Sequence, residues 1–383
     1  MDSDQNDFDR QTLSQCGASG AVLDALLAYT CNPFDIRALD ATRLPFADAP
    51  HIDAWEAYVR DSREEGVAHA LARRLVQFRF PISAGISQTD DYRAATRRGV
   101  WPPGDGPALP LEDPGGLDLV LHDTIAGRIP VITCRSRADF VSLVRACSSR
   151  NEPEPVPDSM GACIVNGLNN WDRVAQLRRR LEEERGAPFD EAGWADAFRL
   201  LIPQKPLYQD RLIILSSEPY SAVPASALGI DGAEWRARSV AIRREHECTH
   251  YFTLVAFGVM RNNLLDECIA DFAGLARTYG RYDADLALRF LGLEAYPSYR
   301  AGGRFENYLE TLPIDDAIAS ILQGIVVRAA RGVAAFTTGM NLADASVRAR
   351  MIVALAGSTL VELSSDTGAT RLEARLQSVP PLT

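Results

Sequence analysis

Residues 231–276 have the sequence DGAEWRARSVAIRREHECTHYFTLVAFGVMRNNLLDECIADFAGLA, which contains the signals of two consecutive helices. Asp231, followed three positions later by Glu234, is a typical helix start, because both side chains can bond free backbone N–H groups of the first turn. No glycine or proline occurs between Glu234 and Phe257, and Gly258 is a typical helix end. The pattern therefore predicts one long helix that ends at Gly258.

A second helix follows after a short connection. Asn262 or Asn263 can cap its first turn. Glu267 and Asp271 lie four residues apart and form an acidic stripe. Apolar residues recur with helical spacing on another face, at positions 265, 269, 272 and 276. The segment therefore predicts a helix with one core face and a separate acidic stripe.

The first of these helices carries an HExxH motif, His246-Glu247-Cys248-Thr249-His250. Histidines four residues apart lie on one face of a helix, so both imidazole rings can bind the same metal ion. Glu247 stands beside the first histidine, where it can take a proton from water that the metal activates. The motif predicts a catalytic zinc site with one Zn²⁺ ion per chain.

A catalytic zinc ion usually has three protein ligands, so a third is needed besides the histidines. The acidic stripe of the second helix supplies it, and we assign Glu267. Asp271 is then the carboxylate that hydrogen-bonds a ligand histidine and fixes its tautomer. Asp266 competes with Glu267 for the third position, although its place near the helix start suits capping and the helix dipole.

The combination of HExxH with a downstream Glu267-Cys268-Ile269-Ala270-Asp271 resembles the gluzincin metallopeptidases over residues 244–275. The resemblance implies that Glu247 is the general base and that Glu267, rather than Asp266, completes the metal site. Gluzincins often have a sheet whose edge strand lies along the substrate cleft. By analogy, Leu212–Leu215 is the candidate edge strand.

Two cysteines, Cys248 and Cys268, lie inside the two motif helices, and each could be a soft zinc ligand. Cys248 is two residues from either histidine, so it points to another face of the helix. Cys268 follows Glu267 and joins the apolar face. We therefore predict that both are buried structural thiols.

A metallohydrolase also needs a group that stabilises the developing oxyanion. Residues 296–304, YPSYRAGGR, combine phenol and guanidinium groups with a flexible glycine pair. Tyr299, Arg300 and Arg304 are the candidates for this role or for binding substrate. A loop that connects two helices and exposes its arginines to solvent would have the same composition.

The rest of the chain predicts a mainly helical α+β protein with a small sheet and a helical, metallopeptidase-like core. We divide it into an N-terminal helical region, a small α+β region and a helical catalytic region, with bounds 1–100, 117–230 and 231–383. The first 18 residues are expected to be flexible. Helices are predicted at 22–29, 54–78, 136–147 and 171–185, the last capped by Asn170, and beyond 231 with breaks near 297–303, Gly332 and Gly339. Strands are predicted at 117–121, 129–133 and 212–215.

Composition limits the classes of function. Of the 383 residues, 46% are hydrophobic and 24% are charged, which is typical of a folded globular protein. The net charge of −11 disfavours nucleic acids and anionic membranes as partners. The single lysine, Lys205, lies in neither a P-loop nor a pyridoxal-phosphate motif, so we exclude both classes.

The same sequence bears on where the protein works. The first ten residues are acidic and polar and lack the features of a secretory signal, and apolar runs such as Leu254–Met260 are too short to cross a bilayer. The seven cysteines are scattered along the chain without the regular spacing of a disulfide framework, which is typical of reduced thiols. We therefore expect a cytoplasmic protein with no membrane partner.

Together these observations predict a zinc-dependent hydrolase that cleaves a peptide or another amide bond in a small substrate. Two alternatives remain at this stage. The same two-histidine, one-glutamate set can hold non-haem iron or another metal in a biosynthetic enzyme. The helix pair could also organise a non-catalytic binding protein. Glu247 discriminates among them, because neither alternative requires a base at that position.

Overall fold

The computed structural model of the protein describes residues 3–104, 106–260, 263–309, 312–313 and 315–381. Within these residues the chain is mainly helical and contains one four-stranded sheet. The predicted mainly helical α+β class is therefore confirmed.

Helices occupy both ends of the chain and strands occupy its middle. In chain order the elements are α1 (Ser3–Gln15), α2 (Gly20–Thr30), α3 (Ile52–Glu65), α4 (Val67–Arg74), α5 (Asp90–Arg98), β1 (Leu117–His122), β2 (Ile129–Cys134), α6 (Arg137–Ser148), β3 (Ala162–Asn169), α7 (Trp171–Arg185), α8 (Glu191–Leu201), β4 (Gln209–Ser216), α9 (Gly232–Phe257), α10 (Leu264–Tyr279), α11 (Ala284–Leu291), α12 (Asp316–Phe336), α13 (Ala345–Ala356), α14 (Leu360–Leu363) and α15 (Gly368–Ser378).

The chain folds into two compact units. Met1–Phe46 and Pro219–Thr383 together form one, which we call the helical unit, and Ala47–Glu218 form the other, which we call the sheet unit. The helical unit thus combines the two ends of the chain. The sequence instead suggested three regions that follow one another along the chain, with the two ends in different regions.

The sheet has the strand order β1-β2-β4-β3. β4 pairs in parallel with β2 and antiparallel with β3, so it is an interior strand. The prediction that Leu212–Leu215 forms an edge strand is therefore wrong. All four of these residues are fully buried. An apolar run without alternation is typical of a strand that is covered on both faces.

Two features of the sheet unit were not apparent in the sequence. β3 was missed because Asn166 and Gly167 lie inside it, and both residue types are typical of turns. The ladder is irregular at this point, where Gly167 has φ 105°. The helix predicted over 54–78 is instead α3 and α4, separated at Gly66, whose φ of 85° ends the first of them.

A buried ion pair joins α7 to β4. Arg173 donates a hydrogen bond to Asp210, and their side chains are 7% and 0% exposed. Trp55 and Asn170 donate to the same carboxylate at 2.8 and 2.6 Å. The Asn170 side chain also accepts from the backbone N–H of Arg173, which confirms that it caps α7. Arg173 thus balances a charge that lies inside the core.

The N-terminal segment is helical rather than flexible. Its polar composition hides one packed face, on which Leu13 is fully buried and Asp9 is 3% exposed. Asp9 accepts hydrogen bonds from Gln5 at 2.9 Å and from Thr359 at 3.2 Å. These contacts tie α1 to the start of α14, so the expectation of flexibility is wrong from Ser3 onward, and Met1 and Asp2 lie outside the described residues.

The two motif helices have the predicted limits. Asp231 caps α9 and Gly258, with φ 69°, ends it. Asn263 caps α10 by accepting from the backbone N–H of Asp266 at 3.0 Å. The alternative cap, Asn262, lies outside the described residues. Gly332 lies inside α12, so the break predicted there is wrong.

Among the described helices, α12 is the one that is long and apolar enough to span a membrane by length and composition. Half of its most apolar window is buried against the rest of the protein, as in the core helix of a soluble protein. Leu322, Ile325 and Val326 are fully buried in this way.

The close crossing of α9 and α10 depends on Gly274. A Cβ atom at this position would lie 2.7 Å from the backbone oxygen of Ile242. We expect Gly274→Ala to force the helices apart and to lower the free energy of unfolding by about 1–3 kcal/mol. Urea denaturation measures this loss. Gly232→Ala is the control, because its added Cβ meets nothing within 4 Å; an equal loss in both variants would contradict the explanation.

Candidate metal centre

Residues from α9 and α10 converge in the interior of the helical unit. His246 and His250 come from α9, and Glu267 comes from the first turn of α10. Their exposed fractions are 4%, 6% and 7%. Within the described residues, these three form a cluster of candidate metal ligands. The sequence predicted the same three side chains.

The spacing of the three candidate ligand atoms fits zinc. The two histidine Nε2 atoms are 3.1 Å apart. Glu267 Oε2 lies 3.4 Å from Nε2 of His246, and Oε1 lies 3.4 Å from Nε2 of His250. Bonds of about 2.0–2.1 Å in a tetrahedral zinc site place neighbouring ligand atoms about 3.3 Å apart. Glu267 faces each histidine with a different oxygen, and one ligand atom from each of the three residues lies within 4.8 Å of the others, so the cluster has approximately the dimensions of such a site.

Each histidine is held from behind by a carboxylate. Nδ1 of His246 lies 3.0 Å from Oδ1 of Asp271, as predicted. Nδ1 of His250 lies 3.2 Å from Oδ2 of Asp266, which is fully buried. At His246 this contact favours the tautomer with its proton on Nδ1, so the lone pair of Nε2 is directed into the cluster. At His250 the contact lies within ion-pair distance but lacks hydrogen-bond geometry, so Asp266 acts on this ring through its charge. Asp266, considered from the sequence as a ligand or cap, instead supports the second histidine.

The electrostatics of the cluster favour positive charge. Burial opposes protonation of His246, but hydrogen bonds to Asp271 and Glu267 raise its pKa above the ordinary value. Burial has the same opposing effect on His250, whose pKa Asp266 and Glu267 raise well above the ordinary value. Burial alone would raise the pKa of Glu267, but the bonds to both histidines lower it well below its usual range. A metal cation that replaced these protons would be bound by the same two imidazole rings and the same carboxylate.

Arg304 belongs to the support of the centre. It donates to Oδ2 of Asp271 and, over 2.8 Å, to the hydroxyl of Tyr220. Tyr220 in turn donates to Oδ1 of Asp271 over 2.6 Å. The guanidinium group predicted to stabilise an oxyanion therefore lies behind His246, where it balances the charge of the aspartate. The sequence did not identify Tyr220.

Tyr308 is a second phenol that the sequence did not identify. Its hydroxyl donates to Oε2 of Glu267 over 2.7 Å, and the residue is 6% exposed. The hydroxyl of Tyr29 donates to the backbone oxygen of Tyr308 over 2.9 Å and accepts from the backbone N–H of Leu264. These bonds link the loop after α11 to α2 and to the start of α10.

The other two predicted loop residues do not join the cluster. Tyr299 donates to the backbone oxygen of Gly303 over 2.6 Å. Arg300 pairs with Glu294 at 2.6 Å and donates to the backbone oxygen of Arg289 at 2.7 Å. Both side chains therefore hold the loop that follows α11 in shape.

Glu247 differs from its neighbours in having an uncommitted carboxylate. It is partly exposed, and among the described residues it forms neither a hydrogen bond nor an ion pair. Cys248 is buried and is not part of the metal-ligand cluster that the described residues form. Cys268 lines a small apolar cavity on the far side of α10. These placements agree with the predicted packing role of the two thiols and leave the Glu247 carboxylate without a protein partner among the described residues.

The backbone beside Tyr220 has an unusual conformation. Ser221 and Ala222 have φ values of 52° and 54°, a left-handed region that residues other than glycine seldom adopt. The N–H of Tyr220 donates to Ser239 on α9 over 3.0 Å. Such strain persists where surrounding contacts determine the backbone, and it is common at functional sites.

Substitution of Asp266, which lies behind His250, tests whether this carboxylate supports metal binding. We expect Asp266→Asn to weaken zinc binding about 10–100-fold, because removal of this carboxylate makes His250 a poorer and less well oriented ligand. Competition with a chromophoric chelator measures the dissociation constant. Asp285→Asn is the control, since Asp285 is exposed on α11. Unchanged affinity in Asp266→Asn would contradict the assigned support.

The fold and the cluster define a mainly helical α+β protein with a buried centre of two histidines and one glutamate. The chain belongs to a family of unknown function, DUF7005, which matches residues 11–367. The match includes the whole sheet unit and all three cluster residues. Neither a curated protein nor a solved structure shows significant similarity to the chain.

Proposed function

We propose that the protein is a zinc-dependent hydrolase that cleaves a peptide or another amide bond, similar in its chemistry to the gluzincin metallopeptidases. His246, His250 and Glu267 hold one zinc ion, and Glu247 is the general base. The observation that carries the proposal is the convergence of two imidazole Nε2 atoms and the Glu267 carboxylate, a different oxygen of which lies 3.4 Å from each histidine, with a further carboxylate behind each histidine.

Zinc, when bound, supplies a Lewis acid that polarises the substrate carbonyl and lowers the pKa of water. Glu247 accepts the proton of the attacking water and passes it to the nitrogen of the leaving group. Its partly exposed and uncommitted carboxylate supports this role. Asp271 and Asp266 keep the histidines in one orientation while the charge of the site changes.

The oxyanion that develops on the substrate also needs a donor. Arg304 bonds Asp271 and Tyr220 through its terminal nitrogens and lies on the Nδ1 side of His246, away from the ligand atoms, so we do not assign it this role. Tyr308 presents a neutral phenol 2.7 Å from Glu267. We assign the oxyanion donor to Tyr308, whose O–H would exchange its bond to Glu267 for a bond to substrate.

The setting favours a small substrate. Ligand side chains that are 4–7% exposed leave little access for a long polypeptide, whereas a small peptide or an amide-containing biosynthetic intermediate can approach them. The net charge of −11 disfavours a nucleic acid or an anionic membrane as partner. We propose that the protein acts in the cytoplasm.

The test is metal analysis of the purified full-length chain. We expect about one zinc ion per wild-type chain and none in the double variant His246→Ala/Glu267→Ala. His69→Ala is the matched control, because His69 is exposed on α4, in the sheet unit, and should not affect zinc content. Zinc-loaded protein is then screened against peptide and amide substrates.

Two results would overturn the proposal. Iron in place of zinc, with oxygen-dependent turnover, would favour the non-haem iron alternative. No metal in protein purified without chelators, and no uptake of added zinc, would exclude the metal centre itself.

A further inference from the structure

The sheet unit contains a polar cavity of about 360 Å³. It lies among α5, the end of α6 and β3, and most of its lining residues are polar or charged. Gln77 and Tyr92 form buried parts of its wall, and Arg97 and Arg150 line it from exposed positions. The candidate metal centre, by contrast, belongs to the helical unit.

The two arginines lack a direct ion-pair partner in the described part of the chain, and the carboxylate of Glu152, which also acts on Tyr92, accepts backbone N–H groups of Gly85 and Ser87 instead. Neither the Arg97 nor the Arg150 side chain forms an ion pair or hydrogen bond with a described residue. Arginine pairs readily with carboxylate and phosphate groups, which it binds through two parallel N–H bonds. In a protein with a net charge of −11, two unpaired arginines on one cavity favour an anionic ligand there.

The backbone at the cavity is held in a strained form. Arg150 and Asn151 have φ values of 55° and 60°, so two consecutive residues other than glycine are left-handed. Asn151 is fully buried and donates to the backbone oxygens of Gln77 and Phe80 over 3.0 and 3.1 Å. It also accepts from the hydroxyl of Tyr92 over 3.2 Å. These bonds fix the backbone that presents Arg150 to the cavity.

The wall also has an unused acceptor. Gln77 is 5% exposed, and its Nε2 donates to the backbone oxygen of Asn169 over 3.2 Å. Its Oε1 is buried and has no hydrogen-bond partner among the described residues. An amide oxygen left in this state is costly unless a donor reaches it. A ligand with a hydroxyl or amino group would supply that donor.

We propose that this cavity binds a small organic anion, a phosphate ester or a carboxylate that also carries a hydroxyl or amino group. Arg97 and Arg150 hold the anionic group, and Gln77 accepts a hydrogen bond from the neutral polar group. The proposal does not depend on the hydrolase activity, because it uses residues of the sheet unit alone.

Isothermal titration calorimetry of the full-length chain tests it, with glycerol 3-phosphate and malate as the phosphate and carboxylate probes and sodium chloride at matched ionic strength as the blank. We expect one probe to bind with a dissociation constant of about 1 mM or lower. Arg97→Gln and Arg150→Gln should each weaken that binding about tenfold or more. Arg98→Gln is the matched control, since Arg98 is an exposed neighbour that does not line the cavity.

Inorganic phosphate separates the two parts of the site. It should bind more weakly than glycerol 3-phosphate if that ester is the preferred probe, because it lacks the carbon-borne hydroxyl groups that reach Gln77. The proposal would be overturned if both glycerol 3-phosphate and malate failed to bind above the sodium chloride blank. It would also be overturned if binding persisted in the double variant Arg97→Gln/Arg150→Gln.

Discussion

Glu247→Gln is expected to lower the rate of amide hydrolysis by about 10²–10⁴-fold while the protein keeps its zinc. Glutamine matches glutamate in size but cannot accept the proton of the attacking water. Glu247 is not a member of the ligand cluster, so the metal should remain bound. The measurement combines kcat on the best substrate of the screen with zinc content. Both are compared with the wild-type enzyme at the same pH.

The control for this variant is Glu245→Gln. Glu245 lies on the same helix two residues earlier and is also partly buried, but it has no assigned part in the reaction. We expect its rate to stay at the wild-type level. An unchanged rate in Glu247→Gln would remove the general base from the mechanism while the metal site could stand. Loss of zinc in Glu247→Gln would show instead that this carboxylate supports the metal.

Arg173→Leu is expected to cause the largest loss of stability, about 3–5 kcal/mol in the free energy of unfolding at neutral pH. The substitution leaves the carboxylate of Asp210 buried without its positive partner. Trp55 and Asn170 still donate to it, but neither carries a charge. Urea denaturation of both proteins, followed by circular dichroism, measures the difference.

The pH dependence checks the cause of this loss. Burial raises the pKa of Asp210, an effect that Arg173 opposes in the wild-type protein. Without Arg173 the folded state therefore binds a proton more tightly than the unfolded state. The destabilisation should shrink as the pH falls, because the protonated side chain carries no charge. An equal loss at pH 5 and pH 8 would contradict this account.

Arg199→Leu is the matched control. Arg199 pairs with Asp196 over 2.8 Å, but both side chains are 72% exposed. Exposed pairs contribute about 0–1 kcal/mol, so the loss should be small at every pH. Equal losses in the two variants would mean that removing any arginine, rather than leaving Asp210 unbalanced, causes the effect.

Local signals in the sequence were sufficient for some of the individual elements. Caps and glycines predicted the limits of α9, and helical spacing predicted the core face of α10, where Leu265 and Phe272 are buried. The position of β4 within the sheet was beyond these signals, because strand order depends on contacts between distant segments. α1 was missed for a related reason: its buried face is recognisable only from the residues that cover it.

The same distinction applies to the site. His246 and His250 were found because their spacing places them on one face of a helix, and Glu267 was chosen over Asp266 because of the resemblance to the gluzincins. Tyr220 and Tyr308 come from loops on either side of these helices, where no periodicity relates them to the motif. Arg304 was singled out by residue type, but the sequence could not show that its guanidinium group pairs with Asp271 and balances the charge of that carboxylate.

The division of the helical unit between the two ends of the chain has a consequence for synthesis on the ribosome. The sheet unit is one continuous segment and can fold as soon as residue 218 has emerged. α1 and α2 emerge earlier, yet their partners α14 and α12 are translated near the end of the chain. Nascent chains should therefore expose the apolar side chains of α2, such as Leu26, until translation is nearly complete, which makes this segment the natural target for a chaperone.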